Sequence, residues 1–205
     1  MASHPTLVLA SGSAIRQHIL RQADIDFRVC VSNIDEAEIK TKFLHNHDDN
    51  SHGDITELPK RLAIAKAKAV SVNATDIVIG ADQIMEMDGT VFDKPASIGE
   101  AQDRLLSMRG RVHHLIGSVA LVVDGETIWS HTSQTSLKMR MFSKAFLADY
   151  IAQEGEELLH SVGGYKFEQR GAHLFDWVKG DFFSILGLPL LPLLAQLRTM
   201  KVLEK

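Results

Sequence analysis

Cysteine is nearly absent from this 205-residue chain, and a long uninterrupted hydrophobic run is missing. The single cysteine, Cys30, cannot form an intramolecular disulfide, which is typical of proteins from a reducing compartment such as the cytoplasm. The longest apolar stretch, residues 185–197, is interrupted by Gly187, Pro189 and Pro192. It is shorter than the roughly 18 residues that a membrane-spanning helix needs. We therefore expect a cytoplasmic protein that does not cross a membrane.

Positive charge is not in excess either. The chain has 22 Lys and Arg against 26 Asp and Glu, a formal net charge of −4. Such a balance supplies no broad cationic surface for a nucleic-acid polymer or an anionic membrane. Residues 1–5 lack the basic segment and apolar stretch of a secretory signal, so we expect no export by that route. A hydrophobic content of 45% is typical of a soluble globular protein with its own core.

Apolar residues recur in alternating strand-like and helix-like runs, which predicts an α/β fold. Strand-like runs lie at 6–10, 27–31, 76–80, 112–123 and 126–139, and helix-like runs at 14–22, 58–72, 97–108 and 143–153. Ser97 and Glu100 form a capping box, in which each side chain satisfies a free backbone N–H group of the other. A hairpin is predicted between 171–178 and 182–187. We expect a mixed twisted sheet flanked by helices, in a single domain spanning residues 1–205.

A candidate anion site lies where the first strand gives way to the first helix. Ser11, Gly12 and Ser13 place two hydroxyls and a glycine before a helix N-terminus, whose free N–H groups attract anions. Arg16 follows within about one turn, and a planar guanidinium can bind two phosphate oxygens at once. The structural alternative is that Gly12 makes the turn and Ser13 caps the helix. The residues alone leave both interpretations open.

Four more side chains are candidates for acid, base or charge-stabilising roles. Asp82 follows the apolar run 76–80, at the strand end where open α/β sheets hold ligands, and could bind a metal, orient water or cap a turn. Lys94 precedes a proline, which favours an extended backbone and gives its ammonium a defined direction. Glu36 follows the second strand, and Lys66 lies on a basic helix flank. These two meet only if the fold joins them, and are otherwise surface charges.

Histidines and aspartates at residues 45–54 suggest a transition-metal site, because imidazole and carboxylate both ligate such ions. The segment has no cysteine and no predicted flanking structure, so we favour an exposed loop. Cys30 lies in an apolar run, which favours an inert core thiol over a nucleophile. No nucleophile elbow, Walker loop or dinucleotide-binding glycine fingerprint occurs, which removes those common functional classes.

Several short motifs occur in a fixed order along the chain. They are Leu9-Ala-Ser-Gly-Ser13 with Arg16, Asp35-Glu36, Leu62-Ala-Ile-Ala-Lys66-Ala, Gly80-Ala-Asp82, Lys94-Pro95, Ser107-Met-Arg-Gly110 and Gly180-Asp181-Phe-Phe-Ser-Ile-Leu-Gly-Leu-Pro189. Each motif is modest alone, but their joint order is specific. It resembles the Maf family of nucleoside triphosphate pyrophosphatases over nearly the whole chain. The resemblance implies an α/β fold of two lobes with a central cleft.

The resemblance also implies a reaction. The chain would cleave a nucleoside triphosphate between the α and β phosphates, giving a nucleoside monophosphate and pyrophosphate, and would keep non-canonical nucleotides out of nucleic acid. A divalent cation, Mg²⁺ or Mn²⁺, would be held by Glu36 and Asp82. Asp82 would accept a proton or orient water, a role that Glu36 could share. A homodimer is implied as well. The residues expected to act are Asp82, Glu36, Lys66 and Lys94 in catalysis, and Ser11, Ser13, Arg16, Gln83 and Glu168 in substrate binding.

Two positions bear on which base is accepted. Gln83 and Glu168 resemble the 7-methyl-GTP type of the family, with its Ser-Asp-Gln and Phe-Lys-x-Glu, more than the thymidine and uridine triphosphate type. A carboxylate at position 168 could accept hydrogen bonds from the N1–H and amino groups of guanine, so we favour a modified purine. The chain also departs from the family pattern. Ala14 and Ile15 replace Pro-Arg, and Asp93 replaces the glycine before Lys-Pro, so one arginine of the expected phosphate clamp is lost.

The missing arginine keeps a second function open, that of a non-catalytic nucleotide-binding regulator of cell division. Tight nucleotide binding without turnover would favour this alternative. A third hypothesis is a metal-binding protein organised by residues 45–54. Loss of zinc or nickel affinity on deletion of that segment would favour it.

Overall fold

The structure is a computed structural model that describes residues 5–45, 54–70 and 72–204. The strands in this part are β1 Leu7–Leu9, β2 Arg28–Val29, β3 Ile77–Met87, β4 Thr90–Phe92, β5 Val112–Val123, β6 Glu126–Met139 and β7 Phe175–Lys179. The α-helices are α1 Ala14–Gln22, α2 Glu36–His45, α3 Glu57–Lys68, α4 Ile98–Met108, α5 Lys144–Glu154, α6 Phe182–Ile185 and α7 Leu190–Thr199. Two 3₁₀ helices span Gly155–His160 and Arg170–Leu174.

The strands form one mixed sheet in the order β2-β1-β3-β5-β6-β7, with β4 paired to β3. Strand β1 is parallel to both β2 and β3, whereas β4 is antiparallel to β3 and β7 is antiparallel to β6. The predicted α/β class with a mixed sheet is therefore confirmed. Strand β1 pairs with β3 only as far as Ile79, and β4 joins β3 only from Met85. Residues 80–84 of β3 thus lie beyond β1 and before β4.

The chain divides into two compact units. The first contains Met1–Asp82, Gly117–Ser133 and Gly187–Lys205, and the second contains Gln83–Ile116 and Gln134–Leu186. Three long strands, β3, β5 and β6, contribute residues to both units. Two units agree with the two lobes implied by the family resemblance, while the cleft and the single domain stay predictions.

Two sequence predictions about local structure are wrong. The strand expected at 76–80 continues to Met87, so Asp82 lies inside β3 and does not follow it. The hairpin expected after residue 178 does not form, because a helix, α6, begins directly after Asp181. The Asp181 carboxylate accepts from the Ser184 backbone N–H at 2.7 Å, and this cap starts a helical turn in place of a strand.

The capping box is confirmed in part. Ser97 caps α4 and accepts from the Glu100 backbone N–H at 3.1 Å. The Glu100 carboxylate, however, accepts from the N–H of Ala96 at 2.8 Å and not from that of Ser97. The strand expected at 27–31 is reduced to two residues, and Cys30 follows it, packed partly buried against the core of the first unit.

Neither a membrane-crossing helix nor a histidine-based metal site is found in the part of the chain that the structure describes. None of the described helices is long and apolar enough to span a bilayer. Most of the histidine-rich segment, 46–53, lies outside the described residues, while His45 is the last residue of α2. Within the described ranges no group of three His, Cys, Asp or Glu side chains is placed to hold a metal ion.

The core of the second unit contains a buried histidine. His113 on β5 is fully buried, and its Nε2 atom shares a hydrogen bond of 2.8 Å with the hydroxyl of Tyr165. The Tyr165 ring packs edge-on against Phe175, with ring centroids 4.9 Å apart. Burial, and to a smaller extent the neighbouring His114, lowers the pKa of His113 to about 4.

This histidine predicts how stability depends on pH. The unfolded chain binds a proton at the ordinary histidine pKa of 6.5, whereas the folded chain binds it at about 4. The unfolded state therefore holds more protons between these values, and the free energy of unfolding falls as pH drops from 6.5 to 4. The expected loss is about 3 kcal/mol, at ~1.4 kcal/mol per pKa unit. Urea unfolding across this range should show it.

The control separates His113 from other acid-sensitive groups. His113→Gln is expected to lose most of this pH dependence, while His114→Gln, at the adjacent position of β5, is expected to keep it. An unchanged pH profile in His113→Gln would contradict the assignment.

Candidate active site

Asp82 is a buried carboxylate in the first unit. Its side chain is 8% exposed. It lies in the part of β3 that extends beyond the last pairing with β1 at Ile79. Because β1 does not pair with β3 at this position, side chains from other elements have room beside Asp82. One of them, Lys66, contacts its carboxylate.

Gly80 allows helix α3 to approach β3 closely. A Cβ atom at Gly80 would lie 2.0 Å from the carbonyl oxygen of Ala63 and 2.9 Å from Cβ of Ala67, so only glycine fits. Lys66 lies three residues after Ala63, on the neighbouring part of the helix surface. Asp82 lies two residues after Gly80, on the same face of the strand. The close contact therefore brings Lys66 beside Asp82.

Lys66 joins two carboxylates. Its Nζ atom lies 2.5 Å from Oδ1 of Asp82 and 2.9 Å from Oε1 of Glu36. The Lys66 side chain is 11% exposed, whereas that of Glu36 is 44% exposed. The cluster therefore has a buried end at Asp82 and an open end at Glu36. An ammonium in contact with two carboxylates is well compensated for its burial.

The acidic pair at the start of α2 divides into two roles. Glu36 is the first residue of the helix, and its carboxylate reaches Lys66. Asp35 stands just before the helix and accepts from the Glu38 backbone N–H at 2.9 Å, which is the contact of an N-cap. Of the two acids, Glu36 is the one that joins the cluster.

Arg16 binds three oxygen atoms of the protein. Its Nε atom donates to the carbonyl of Gly187 at 2.8 Å, and Nη1 donates to the carbonyl of Ala81 at 2.8 Å and to Oγ of Ser11 at 3.2 Å. Burial lowers the pKa of Arg16, and the nearby charges of Asp82 and Glu36 oppose that shift. Among the described residues, no oxygen accepts from Nη2. Two N–H groups of this arginine remain for another acceptor.

The two serines of the first motif take different positions. Ser13 caps α1 and accepts from the Arg16 backbone N–H at 3.5 Å, so the structural interpretation of this residue is confirmed. Ser11 is buried, and its hydroxyl accepts from Arg16 Nη1 and from the Ser13 backbone N–H. Ser11, Ser13 and Arg16 are thus one connected group. Their contact with a substrate stays a prediction.

The other three site residues of the sequence analysis belong to the second unit. Lys94 and Glu168 are exposed, and Gln83 is half-buried. The amide nitrogen of Gln83 donates to the carbonyls of Ser184 at 2.8 Å and Ile185 at 3.2 Å. Because carbonyl oxygens only accept, this pair of contacts fixes the amide orientation and turns its Oε1 away from α6. The structure thus groups six predicted residues in the first unit and three in the second.

The residues present are suited to a divalent cation of the Mg²⁺ type. The ion pairs with Lys66 use one oxygen of Glu36 and one of Asp82, so each carboxylate keeps a second oxygen. Hard oxygen donors are the ligands that Mg²⁺ prefers, and it usually takes only one or two carboxylates together with substrate phosphates and water.

Three contributors to this site are not identified by sequence reasoning. Ala81 and Gly187 act through backbone carbonyls, which every residue type carries, so their contacts with Arg16 leave no signal in the sequence. Gly80 does leave one. A glycine inside an apolar strand marks a close approach of another backbone, and Ala63 and Ala67 mark the helix face that makes it.

The fold and the site define an α/β protein with a lysine-bridged carboxylate pair and an arginine, a set suited to chemistry on phosphoanhydrides. The chain belongs to the Maf-like protein family, whose model matches residues 6–200.

Similar proteins carry two kinds of name. A nucleoside triphosphate pyrophosphatase of Ruegeria sp. (strain TM1040) is 39% identical, with 100% of each chain covered. One of the same name from Paramagnetospirillum magneticum is 44% identical, with 93% of this chain and 96% of that protein covered. A 7-methyl-GTP pyrophosphatase of Bartonella henselae is 41% identical, with 97% and 98% covered. These names give no support to the non-catalytic alternative.

Proposed function

We propose that this chain hydrolyses a nucleoside triphosphate at the bond between the α and β phosphates, releasing a nucleoside monophosphate and pyrophosphate. The proposal rests on one observation above all, the Asp82–Lys66–Glu36 cluster in a member of the Maf-like family. The names of full-length relatives support it. The expectations of a homodimer, a cytoplasmic location and a role against non-canonical nucleotides are kept as parts of the same proposal.

Asp82 is the residue that we assign to the attacking water. One of its oxygens is committed to Lys66. The other has two lone pairs, so it could bind the metal with one and accept the hydrogen bond, and then the proton, of the attacking water with the other. The contact with Lys66 holds the carboxylate in one orientation, so the accepting oxygen has a fixed position. A residue that positions the nucleophile, in kinases an aspartate that accepts its proton, is a recurring part of phosphoryl-transfer sites.

Positive charge at the same site would stabilise the transition state. Arg16 offers the two N–H groups of Nη2 to phosphate oxygens, while its other contacts hold the guanidinium in place. Lys66 contributes a second charge beside Asp82. A divalent metal bound by Glu36 and Asp82 would neutralise phosphate oxygens and stabilise the leaving pyrophosphate. Lys94 belongs to the second unit, and its contact with the substrate phosphates is an expectation from the family resemblance.

For the base, we propose a modified purine such as 7-methylguanine. Glu168 presents an exposed carboxylate that only accepts hydrogen bonds, which suits the N1–H and amino groups of a guanine. Gln83 presents the amide oxygen that its contacts with α6 leave unused. Relatives named 7-methyl-GTP pyrophosphatase support this choice.

The base assignment predicts a change in selectivity. Glu168→Gln places an amide where the donors of guanine need an acceptor, so the ratio of kcat/KM for 7-methyl-GTP to that for UTP is expected to fall by at least about tenfold. Both substrates are assayed on one preparation, which makes the ratio independent of the folded fraction. Glu156→Gln, an exposed glutamate of the same unit, is the matched control and should leave the ratio unchanged. An unchanged ratio in Glu168→Gln would remove this residue from base recognition.

The experiment that tests the function is a panel of triphosphates. Purified protein with Mg²⁺ is given 7-methyl-GTP, dTTP, UTP and the four common ribonucleotides, and pyrophosphate and orthophosphate are measured separately. We expect pyrophosphate as the phosphate product and 7-methyl-GTP among the best substrates. Tight nucleotide binding with no turnover of any member of the panel would reject the proposal.

A further inference from the structure

Lys94 stands between two backbone groups that one helix holds in place. The carbonyl of Asp93, just before it, accepts a hydrogen bond from Nη1 of Arg104. The N–H of Ala96, two residues after it, donates to Oε2 of Glu100 at 2.8 Å. Both partners lie on α4 and belong to the same compact unit as Lys94.

The two holding residues are themselves joined. Nη2 of Arg104 lies 2.7 Å from Oε1 of Glu100, one helical turn away. The pair is therefore a single clamp whose two ends bind the chain on either side of Lys94 and Pro95. Proline restricts the residue before it to extended geometry, so the backbone of Lys94 is restrained from three directions.

Burying the charged side chain of Arg104 on the core face of α4 costs desolvation free energy. Its side chain is 6% exposed, and its helix neighbours Ala101, Leu105 and Met108 are fully buried apolar residues. A buried guanidinium must satisfy its donors within the protein, and an apolar residue of similar volume is often equally stabilising. Arg104 meets this demand by a further bond to the carbonyl of Val162 at 2.6 Å. Stability alone does not require an arginine here.

A restrained backbone at Lys94 would favour phosphate binding by its side chain. Its side chain is exposed, and no described residue pairs with its ammonium. A flexible exposed lysine loses conformational entropy when it binds phosphate, and a fixed backbone reduces that loss.

We propose that Arg104, acting with Glu100, positions Lys94 for its contact with the substrate phosphates. Arg104 is a positioning residue that touches no substrate. The inference rests on the proposed function, because it requires Lys94 to act in turnover.

A double-mutant cycle tests this. Lys94→Ala, Arg104→Lys and the double variant are compared in kcat/KM for triphosphate hydrolysis. Lysine at position 104 keeps the charge but cannot reach two carbonyls and a carboxylate at once. We expect Arg104→Lys alone to lower kcat/KM about tenfold. In a Lys94→Ala background the same change should have almost no further effect, because the residue through which it acts is gone.

Two further variants, both at exposed positions of α4, keep the test valid if Arg104→Lys fails to fold. Glu100→Ala removes the acceptor of the Ala96 N–H, and Glu100 is exposed on α4. This variant is also expected to lower kcat/KM, and again only when Lys94 is present. Asp103→Ala, at an exposed position of the same helix, is the matched control and should leave kcat/KM unchanged.

The outcomes are distinct. Suppose that Arg104→Lys and Glu100→Ala each lower kcat/KM by the same factor in the wild type and in the Lys94→Ala variant. That result would show a purely structural role and overturn the inference. Full activity of Lys94→Ala would overturn it too. A wild-type protein that releases no pyrophosphate would instead overturn the proposed function.

Discussion

Asp82→Asn is expected to lower kcat for triphosphate hydrolysis by about a hundredfold to ten-thousandfold, the range that general acid–base catalysis contributes. The amide has nearly the same shape, but its oxygen is a poor proton acceptor. Lys66 keeps its contact with Glu36 at 2.9 Å, so the variant retains one of the two ion pairs. We expect the fold to be kept. Steady-state kinetics and a thermal unfolding curve on the same preparation measure both effects.

The chain offers a matched control directly before the same strand. Asp76 is also a buried aspartate with a cationic partner, Arg28, at 2.7 Å. Hydrogen bonding to Arg28 lowers the pKa of Asp76, so this carboxylate stabilises the fold. Asp76→Asn should therefore lower the melting temperature and leave kcat per folded molecule nearly unchanged. A similar kcat loss in both variants would show that Asp82→Asn acts through stability and not through chemistry.

Lys66→Met is expected to lower both activity and stability. It leaves Asp82, 8% exposed, without its closest cation, and loss of one member of a buried ion pair costs about 3–5 kcal/mol. Loss of one preorganised charge at a reacting centre costs about a hundredfold to a thousandfold in kcat. Urea unfolding and kinetics together separate the two losses.

Lys60→Met is the control on the same helix. Lys60 pairs with Glu57 at 3.1 Å, and both side chains are more than a third exposed. Exposed pairs contribute about 1 kcal/mol or less, so little change is expected in either measurement. Wild-type kcat in Lys66→Met would contradict the role assigned to the cluster.

The sequence alone predicts which residue types meet, but not how they are held. Glu36, Lys66 and Asp82 are identified by motif order, and the structure joins them through direct contacts of 2.5 and 2.9 Å. The small residues that bring α3 against Gly80 are visible as an alanine-rich helix face. The position of Asp82 inside β3 is not visible, because strand length depends on partners elsewhere in the sheet.

Arg16 shows most clearly what sequence reasoning misses. A guanidinium near a helix N-terminus predicts a phosphate ligand, yet three of its N–H groups bind protein oxygens. Two of these are backbone carbonyls, at Ala81 and Gly187, 65 and 171 residues away along the chain. Backbone acceptors are the same in every residue type, so only the fold reveals them. Arg16 thereby connects α1 to the strand that carries Asp82.

Helix α6, in the second unit, is another element whose conformation could not be predicted from the sequence. The run 182–187 follows the turn-like residues Lys179-Gly180-Asp181, an order that predicts the second strand of a hairpin. The Asp181 cap and the contacts of Gln83 with Ser184 and Ile185 belong instead to a helical turn. A short segment has little intrinsic preference, and side-chain hydrogen bonds to its backbone decide its conformation.

The most direct test of the central claim is the product balance of the wild-type protein and Asp82→Asn, followed by phosphorus NMR with 7-methyl-GTP and Mg²⁺. We expect nucleoside monophosphate and pyrophosphate in equal amounts from the wild type, and almost neither from a folded Asp82→Asn protein. Orthophosphate with nucleoside diphosphate, or wild-type rates in the variant, would contradict it.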